Sequence, residues 1–173
     1  MAPGSVVLCS WFGDAEVVPE ETLAALTVGR SASQSLGVDL EWVVLGPTPD
    51  GTAEMAGQQG VAAIHRIDVN GLSGDTPDAL VEALSQFCTA MAPRLVLFCQ
   101  DFESRVVAPR LAGRIGAGVV MNGVEIEAPA GAPLRVTASA YGGDTRVVYE
   151  FAEAATSLVA LQANAGLPEA AET

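Results

Sequence analysis

The feature that most constrains the fold is the regular alternation of short apolar runs with helix-like segments. Runs suited to buried strands occupy residues 6–9, 40–45, 62–69, 95–99 and 119–126. The helix-like segments between them begin at Pro19, Thr52, Pro77 and Ser104 and end near Gly37, Gly60, Pro93 and Gly116. Strands that alternate with helices through short connections form parallel sheets with right-handed crossovers. The sequence therefore predicts an α/β fold of three layers, with a doubly wound and mainly parallel sheet.

The pattern of turn residues changes after Glu127, where glycine and proline separate β-like runs. Residues 129–133 join two such runs, and residues 141–144 join the second to a third. This pattern predicts an antiparallel β extension, and the run at residues 158–161 is a candidate fourth strand of it. We predict one domain over residues 1–163 and a disordered Ala- and Glu-rich tail over residues 164–173.

The length and the charge of the chain exclude several classes of protein. With 173 residues there is room for one well-buried domain, and no apolar run approaches the roughly 18 residues that span a bilayer. The net charge of −13 repels nucleic acid and anionic membrane surfaces. Because no leader is readable at the start, we expect a cytoplasmic protein with no membrane insertion and no nucleic-acid partner.

The cysteines and the histidine do not form a recognisable catalytic or metal-binding set. Cys9, Cys88 and Cys99 show no CxxC spacing, although Cys9 and Cys99 end two strands that should be neighbours. A redox pair therefore stays open, while buried cysteines that act as small apolar residues are favoured. His65 lies inside a strand-like run and is interpreted as structural. We expect no catalytic residues and no metal site, hence no catalysis by this chain on its own.

Candidate binding residues follow the strands, at the edge where an open α/β sheet holds its ligands. Gly13, Gly46 and Gly51 lie in these loops, where they either form turns or approach a phosphate. Residues 100–105 join the fourth strand to its helix and place Ser104, Arg105 and backbone N–H groups at the crevice, which favours an anion. Asp101 and Glu103 are alternative partners for those N–H groups.

Four stretches resemble one known family. Residues 92–98 read APRLVLF, and Arg105 is followed by APRLAGRIGAGVV over residues 108–120. Together they look like the P-x-L-V-L strand, the G-R-D-L-A-P-R-L-A helix start and the L-G-A lead-in of electron transfer flavoprotein alpha subunits. The run SAYGGD at residues 139–144 is similar to the family's Tyr, Ala-or-Gly, Gly, Asn turn. LVALQANAG at residues 158–166 is similar to its V-A-T-V-R-P-G-A-F strand.

The resemblance covers nearly the whole chain and implies the alpha subunit's first domain, an adenine nucleotide alpha hydrolase-like fold. Ser104 and Val106 depart from the family's Gly and Asp beside Arg105, and Asp144 replaces the usual Asn. The family's carboxy-terminal FAD-binding domain has no counterpart in these residues. In the family the beta subunit typically holds AMP or a second flavin, whereas this alpha domain is mainly a scaffold.

The resemblance implies a short alpha-like subunit of an electron-transfer complex. Its partners would be an electron transfer flavoprotein beta-like subunit, an acyl-CoA-dehydrogenase-like flavoprotein, or both. FAD would belong to the complex and not be held by this chain alone, and AMP stays open as a ligand at Ser104, Arg105, Gly13 and Gly46. The alternative is a stand-alone adenine-nucleotide-binding module that resembles the universal stress proteins.

The predicted extension also points to a partner. Residues 134–151 carry apolar and aromatic side chains that a short peripheral hairpin cannot easily hide against its own domain: Val136, Tyr141, Val147, Val148, Tyr149 and Phe151. Exposed strand edges and apolar patches favour association with another chain. We therefore expect the chain to belong to a hetero-oligomer.

Overall fold

Strands and helices alternate through the first two thirds of the chain, and strands alone follow. The computed structural model describes residues 4–69, 77–129, 131–152 and 156–171. The strands are β1 (Val6–Trp11), β2 (Leu40–Leu45), β3 (Ala63–Ile67), β4 (Leu95–Cys99), β5 (Gly118–Glu127), β6 (Arg135–Ala140), β7 (Thr145–Glu150) and β8 (Ser157–Leu161). The helices are α1 (Glu20–Leu36), α2 (Thr52–Gln58), α3 (Pro77–Met91) and α4 (Ser104–Ile115). The loop predicted over residues 70–76 lies outside the described residues.

Local signals explain where the helices begin and end. Glu20 and Glu21 occupy the first turn of α1, where carboxylates offset the positive end of the helix dipole. Gly37 ends α1 in the left-handed conformation, with φ of 66°. Glycine adopts this conformation at little steric cost because it has no Cβ, so it is the usual residue just past a helix end.

The described strands form one mixed sheet in the order β3-β2-β1-β4-β8-β5-β6-β7. The strands from β3 to β5 in this order are parallel, whereas β6 and β7 are antiparallel additions at one side. The predicted α/β class with an antiparallel extension is confirmed. Among the described residues, no helix is both long and apolar enough to cross a bilayer.

One strand lies elsewhere than predicted. The sequence favours residues 158–161 as a fourth strand of the antiparallel extension, but β8 inserts in parallel between β4 and β5. Leu158, Val159 and Ala160 are all fully buried there. A parallel strand that helices cover on both faces needs such a continuous apolar run, so the run's composition fits the centre of the sheet and not a half-exposed meander.

Two apolar cores separate the three layers. Alternate strand residues, among them Leu8 and Trp42, pack with Leu26 of α1 on one face. The residues between them, among them Phe98, pack with Leu84 of α3 on the other face. This period of two follows from the strand pleat, which sends successive side chains to opposite faces.

A sharp bend in β5 carries the antiparallel strands away from the parallel sheet. Asn122 has a φ of 57°, and the pairing of β5 with β8 shifts register between Val120 and Gly123. A Cβ added to Gly123 would lie 2.7 Å from a methyl carbon of Val159. Glycine therefore lets β5 stay against β8 while it changes direction.

The last described segment, residues 164–171, is bound to α1 and α2. The Glu169 N–H donates to Thr27 Oγ1 at 3.0 Å, and Arg30 donates to the Glu169 carbonyl at 2.8 Å. The Ala171 N–H donates to the Gln58 carbonyl at 2.7 Å. Over residues 164–171 the structure thus differs from the predicted disordered tail, because backbone hydrogen bonds to α1 and α2 give this polar segment a defined path.

Candidate functional site

The loops that carry the predicted site residues meet at one edge of the sheet. β1 pairs with β2 on one side and with β4 on the other, and all three strands are parallel. The chain order reverses at this point, because the chain runs outward from β1 through β2 to β3 and then returns to β4. Such a reversal opens a crevice at the carboxyl ends of the strands.

The predicted site residues lie at this edge but have different surroundings. Gly13 and Gly46 adopt φ of 54° and 79° in the turns that follow β1 and β2. Ser104 is fully buried at the start of α4, and Arg105 is exposed beside it. Both glycines serve turns that side chains rarely allow. Their roles in binding stay predictions.

A cavity of about 140 Å³ opens on the α1 side of this edge, and we call it the edge cavity. Its wall combines residues from the ends of β1, β4 and β8 with the first turns of α1. The polar lining residues are Ser10, Glu21, Thr22, Gln100, Asp101 and Gln162. The aromatic and thiol-bearing ones are Trp11, Phe12, Cys9 and Cys99.

The aromatic side chains at the end of β1 are packed against other aromatic rings. The rings of Trp11 and Phe98 are 6.1 Å apart, and Phe12 meets Trp42 edge-on at 6.2 Å. The Trp11 indole N–H donates to Glu103 Oε2 at 3.1 Å. These contacts fix the orientation of the Trp11 and Phe12 rings, because aromatic pairs prefer tilted and edge-on geometries.

The loop after β4 uses its polar groups to begin α4. The Ser104 N–H donates to Asp101 Oδ1 at 2.6 Å, and the Asp101 N–H donates to Ser104 Oγ at 2.8 Å. Of the two acids considered as partners for these N–H groups, Asp101 takes the role and Glu103 binds Trp11 instead. Reciprocal bonding of this kind satisfies N–H groups that have no partner within the helix.

Gln100 connects the same loop to the bend in β5. Its Oε1 accepts the Asn122 N–H at 2.6 Å, and its Nε2 donates to Asn122 Oδ1 at 2.6 Å. The Gln100 N–H donates to the Leu161 carbonyl at 2.8 Å. One residue thus ties the end of β4 to β8 and to the bend from which the antiparallel strands leave.

The cysteines do not form the Cys9–Cys99 redox pair that the sequence leaves open. Cys9 belongs to the core on the α3 side and Cys99 packs against the core on the α1 side, so the sheet separates their side chains. All three cysteines are free. Burial raises the pKa of Cys88 to about 11. The thiols are therefore protonated at neutral pH, which suits small apolar residues and not nucleophiles.

The pKa of Cys99 also reports on the charges around the edge cavity. This pKa is raised to about 12, chiefly by burial; a hydrogen bond to Thr22 acts in the opposite direction, and the nearby charges of Glu21 and Asp101 add to the rise. Both carboxylates thus lie within electrostatic reach of the cavity wall.

His65 has an acidic partner that the sequence does not indicate. Its Nε2 lies 2.8 Å from Glu41 Oε2 on the adjacent strand, and its ring meets Phe87 at 5.2 Å. The pair lies away from the crevice, on the α3 face of β2 and β3. A partly buried, paired histidine fits the structural interpretation. Within the described ranges, no three His, Cys, Asp or Glu side chains cluster as metal ligands would.

A second cavity, of about 300 Å³, lies on the α3 side of the crevice. Apart from Glu103, its wall is formed by Trp11, Phe12, Gly13, Leu45, Pro47, Val69 and Leu80. Trp11 and Phe12 therefore separate the two cavities. The wall offers apolar contacts and a carboxylate, and no basic side chain of the described ranges contributes to it.

Sequence reasoning finds the loop 100–105 but misses residues from α1 and β8. From sequence, Glu21 is only part of a helix start, and Gln162 follows a strand assigned to the extension. Glu21 carries a usable signal, because the first turn of a helix that follows β1 must lie at the carboxyl edge. Gln162 carries no such sequence signal, since strand order cannot be deduced from one short apolar run.

Comparison with known proteins agrees with the fold. The family model described as electron transfer flavoprotein domain matches residues 13–173. Protein FixB from Clostridium saccharobutylicum is 26% identical over 125 residues, which are 71% of this chain and 37% of FixB. The chain thus spans little more than a third of the length of this relative. Because the family model matches nearly all of the sequence, the chain belongs to the electron transfer flavoprotein domain family.

Proposed function

We propose that the chain is an alpha-like subunit that scaffolds an electron-transfer complex in the cytoplasm. Its partners are an electron transfer flavoprotein beta-like subunit, an acyl-CoA-dehydrogenase-like flavoprotein, or both. The observation that carries the proposal is the family match over residues 13–173. The alpha-like assignment rests on the stretches that resemble alpha subunits, such as residues 108–120.

An exposed strand supports the partner-binding role. β7 ends the described sheet and pairs only with β6 among the described strands. Val148 is 62% exposed and Tyr149 is 46% exposed on it, and Tyr141 in the preceding turn is 82% exposed. We call these three residues the β7 patch. Unpaired backbone groups and apolar side chains on one edge favour pairing with another chain.

The patch is smaller than the sequence predicts. Val136 is fully buried and Phe151 is 9% exposed, since both belong to the core on the α1 side. The difference arises because the antiparallel strands contribute side chains to this core and do not stand apart from the domain. A Cβ added to Gly118 would lie 3.1 Å from ring atoms of Phe151. The remaining exposed residues lie on β7 and its turn.

The edge cavity supports the view that FAD is not held by this chain alone. Pockets for ligands much smaller than FAD measure about 300–1,000 Å³, whereas the edge cavity measures about 140 Å³. The second cavity is larger but carries Glu103 and, among the described residues, no basic side chain. A pyrophosphate needs donors or cations, so the residues at this crevice do not fit FAD.

The same charges disfavour the alternative of a stand-alone nucleotide-binding module. Glu21, Asp101 and Glu103 line the crevice, while Arg105 lines neither of the cavities. A carboxylate in close contact with a phosphate would repel it, at a cost on the order of 4 kcal/mol for two charges 4 Å apart near a protein surface. The crevice therefore gives this alternative no specific support.

A paired substitution tests the proposed role of the β7 patch. We expect Val148→Glu to weaken binding to the beta-like subunit at least about tenfold, or about 1.4 kcal/mol, because it places a charge in an apolar contact. Met91→Glu is the control, since Met91 is 44% exposed at the end of α3, the helix that leads into β4, and three strands lie between β4 and β7 in the sheet. Binding is measured by calorimetry, with the thermal midpoint of each variant recorded.

The results distinguish a wrong interface from a wrong function. Weakened binding by Val148→Glu at an unchanged midpoint, with normal binding by Met91→Glu, supports the proposal. Equal binding by the wild type and both variants would remove the β7 patch from the interface. A chain that binds neither the beta-like subunit nor the dehydrogenase would refute the proposed function itself.

A further inference from the structure

The outer side of β7 carries backbone groups that no described strand uses. β7 pairs with β6 over six residues, and no described strand pairs with its other side. The Phe151 N–H, which follows β7, donates to the Leu134 carbonyl at 2.9 Å. In an antiparallel pair every second residue bonds to the neighbouring strand, so the residues between them direct their N–H and C=O groups outward. These outer residues of β7 are Arg146, Val148 and Glu150.

The side chains of the outer residues lie on the exposed face of the extension. Val136 of β6 is buried in the core on the α1 side and lies opposite Tyr149. Because successive side chains of a strand point to opposite faces, those of Arg146, Val148 and Glu150 point away from this core. Val148 is accordingly 62% exposed. The outer residues thus offer both backbone and side-chain groups to a strand that lies beside β7.

β7 lacks features with which proteins usually block a strand edge. Residues 145–150 contain no proline, and their pairing with β6 shows no shift of register. Proline, bulges and charges of one sign are common means of keeping a second strand away from an edge. The charges of Arg146 and Glu150 have opposite signs, so they admit a strand whose own charges match them.

The order of the outer residues defines which antiparallel strand would match. Such a strand runs in the reverse direction, so it places alternate residues opposite Glu150, then Val148, then Arg146. Complementary pairs therefore require a basic, an apolar and an acidic residue in that order. Glu150 accepts a hydrogen bond from Arg135 at 3.2 Å, but its side chain is 54% exposed. A carboxylate has two oxygens, so Glu150 can also bind a second cation.

We propose that β7 binds an extended strand of a partner protein in antiparallel orientation, with basic, apolar and acidic side chains at alternate positions of that strand. The inference rests on the proposed function, because it describes how the β7 patch would hold the partner subunit. Strand addition to an exposed sheet edge is a common mode of protein recognition. A second copy of the whole chain is a poor occupant, since each copy carries a net charge of −13.

The sequence of β7 supplies the probe, because its own outer residues read basic, apolar and acidic. The matched peptide is capped Thr-Arg-Val-Val-Tyr-Glu, and the exchanged peptide is capped Thr-Glu-Val-Val-Tyr-Arg, with the same composition. Both have no net charge, so the field of the chain does not repel them. In NMR titrations, at concentrations where each peptide alone is monomeric, the matched peptide should bind at least about fivefold more tightly.

Hydrogen exchange locates the added strand. The matched peptide should slow exchange of the N–H groups of Arg146, Val148 and Glu150, because these groups gain an acceptor. It should leave the N–H groups of Val147 and Tyr149 almost unchanged, since these already face β6. Alternating protection of this kind is specific to a strand that bonds along β7.

Two changes to the chain separate charge order from backbone pairing. Arg146→Glu combined with Glu150→Arg should reverse the preference between the two peptides, and a reversal cannot arise from lost stability. Val148→Pro removes one outward N–H, a change that edge strands tolerate, and should weaken the matched peptide at least about tenfold. Val148→Ala keeps this N–H and should weaken it less than about threefold. The thermal midpoint of each variant is recorded.

Several results would overturn the inference: equal binding of the two peptides, tighter binding of the exchanged peptide, which indicates a parallel strand, an unreversed preference in the double variant, or no binding. The matched peptide should also compete with the beta-like subunit. A normal complex in the presence of saturating peptide would refute strand pairing as the mode of partner binding and leave the proposed function standing. If the chain binds the matched peptide but neither proposed partner, the strand site stands and the proposed function fails.

Discussion

At the scale of single residues, buried thiols make the stability of the chain depend on alkaline pH. Burial raises the pKa of Cys88 to about 11 and that of Cys99 to about 12, from an ordinary value of 9.0. Between pH 9 and these values the folded chain keeps protons that the unfolded chain releases. The free energy of unfolding is therefore unaffected by the thiols below about pH 9 and falls as the pH rises above it.

The Cys99→Ala variant should lose less stability at alkaline pH than the wild type. Each thiol that keeps its proton only in the folded chain lowers the free energy of unfolding by up to about 1.4 kcal/mol for each pH unit in this window. Urea unfolding at about pH 8 and about pH 10.5 should show a smaller loss of stability in Cys99→Ala than in the wild type. Equal losses in the two proteins would show that Cys99 ionises as readily in the folded chain as in the unfolded one.

The loop 100–105 and its bonds differ in how far the sequence predicts them. The loop 100–105 can be placed at the crevice because it follows a recognisable strand. The bonds from Gln100 to Asn122 cannot be foreseen, since they join the end of β4 to β5, two strands that β8 separates in the sheet. Side-chain pairing across a sheet depends on strand order, which periodicity does not contain.

At the scale of elements, most boundaries follow from local chemistry. β2 and β4 begin and end where the apolar runs predict, and α1 ends at the glycine that its sequence indicates. These elements carry strong signals, because buried parallel strands are continuous apolar runs and helix ends favour glycine. β8 is recognisable as a strand but not as a central one, since a short apolar run fits several positions in a sheet.

A pair of glycines provides a test of how the elements pack. We expect Gly123→Ala to destabilise the chain by about 1–3 kcal/mol, because the new Cβ would lie 2.7 Å from a β-branched Val159 methyl group. Gly113→Ala is the contrasting change inside α4, where a Cβ meets nothing within 4 Å. It should stabilise the chain by about 0.5–1 kcal/mol. Chemical denaturation of both variants measures these effects.

The sign of each change is the decisive result. A neutral Gly123→Ala variant would mean that β5 and β8 are not held as closely as the bend at Asn122 requires. Destabilisation by Gly113→Ala would mean that the outer face of α4 is covered.

At the scale of the whole molecule, charge and exposed surface favour a hetero-oligomer over self-association. The net charge of −13 opposes contact between two copies of the chain. The β7 patch nevertheless leaves apolar side chains exposed on an unpaired edge of the described sheet. A less acidic partner resolves both problems, since it covers the edge and meets a complementary field.

We propose that this electron transfer flavoprotein domain acts as a partner-binding subunit and carries no flavin of its own. The most direct test is size-exclusion chromatography with light scattering and a flavin spectrum, for the chain alone and after co-expression with the beta-like subunit. We expect a colourless chain near 17.7 kDa on its own and a one-to-one flavin-containing complex with the subunit. A yellow chain with about one flavin per polypeptide, or a chain that stays monomeric with both the beta-like subunit and the dehydrogenase, would overturn this expectation.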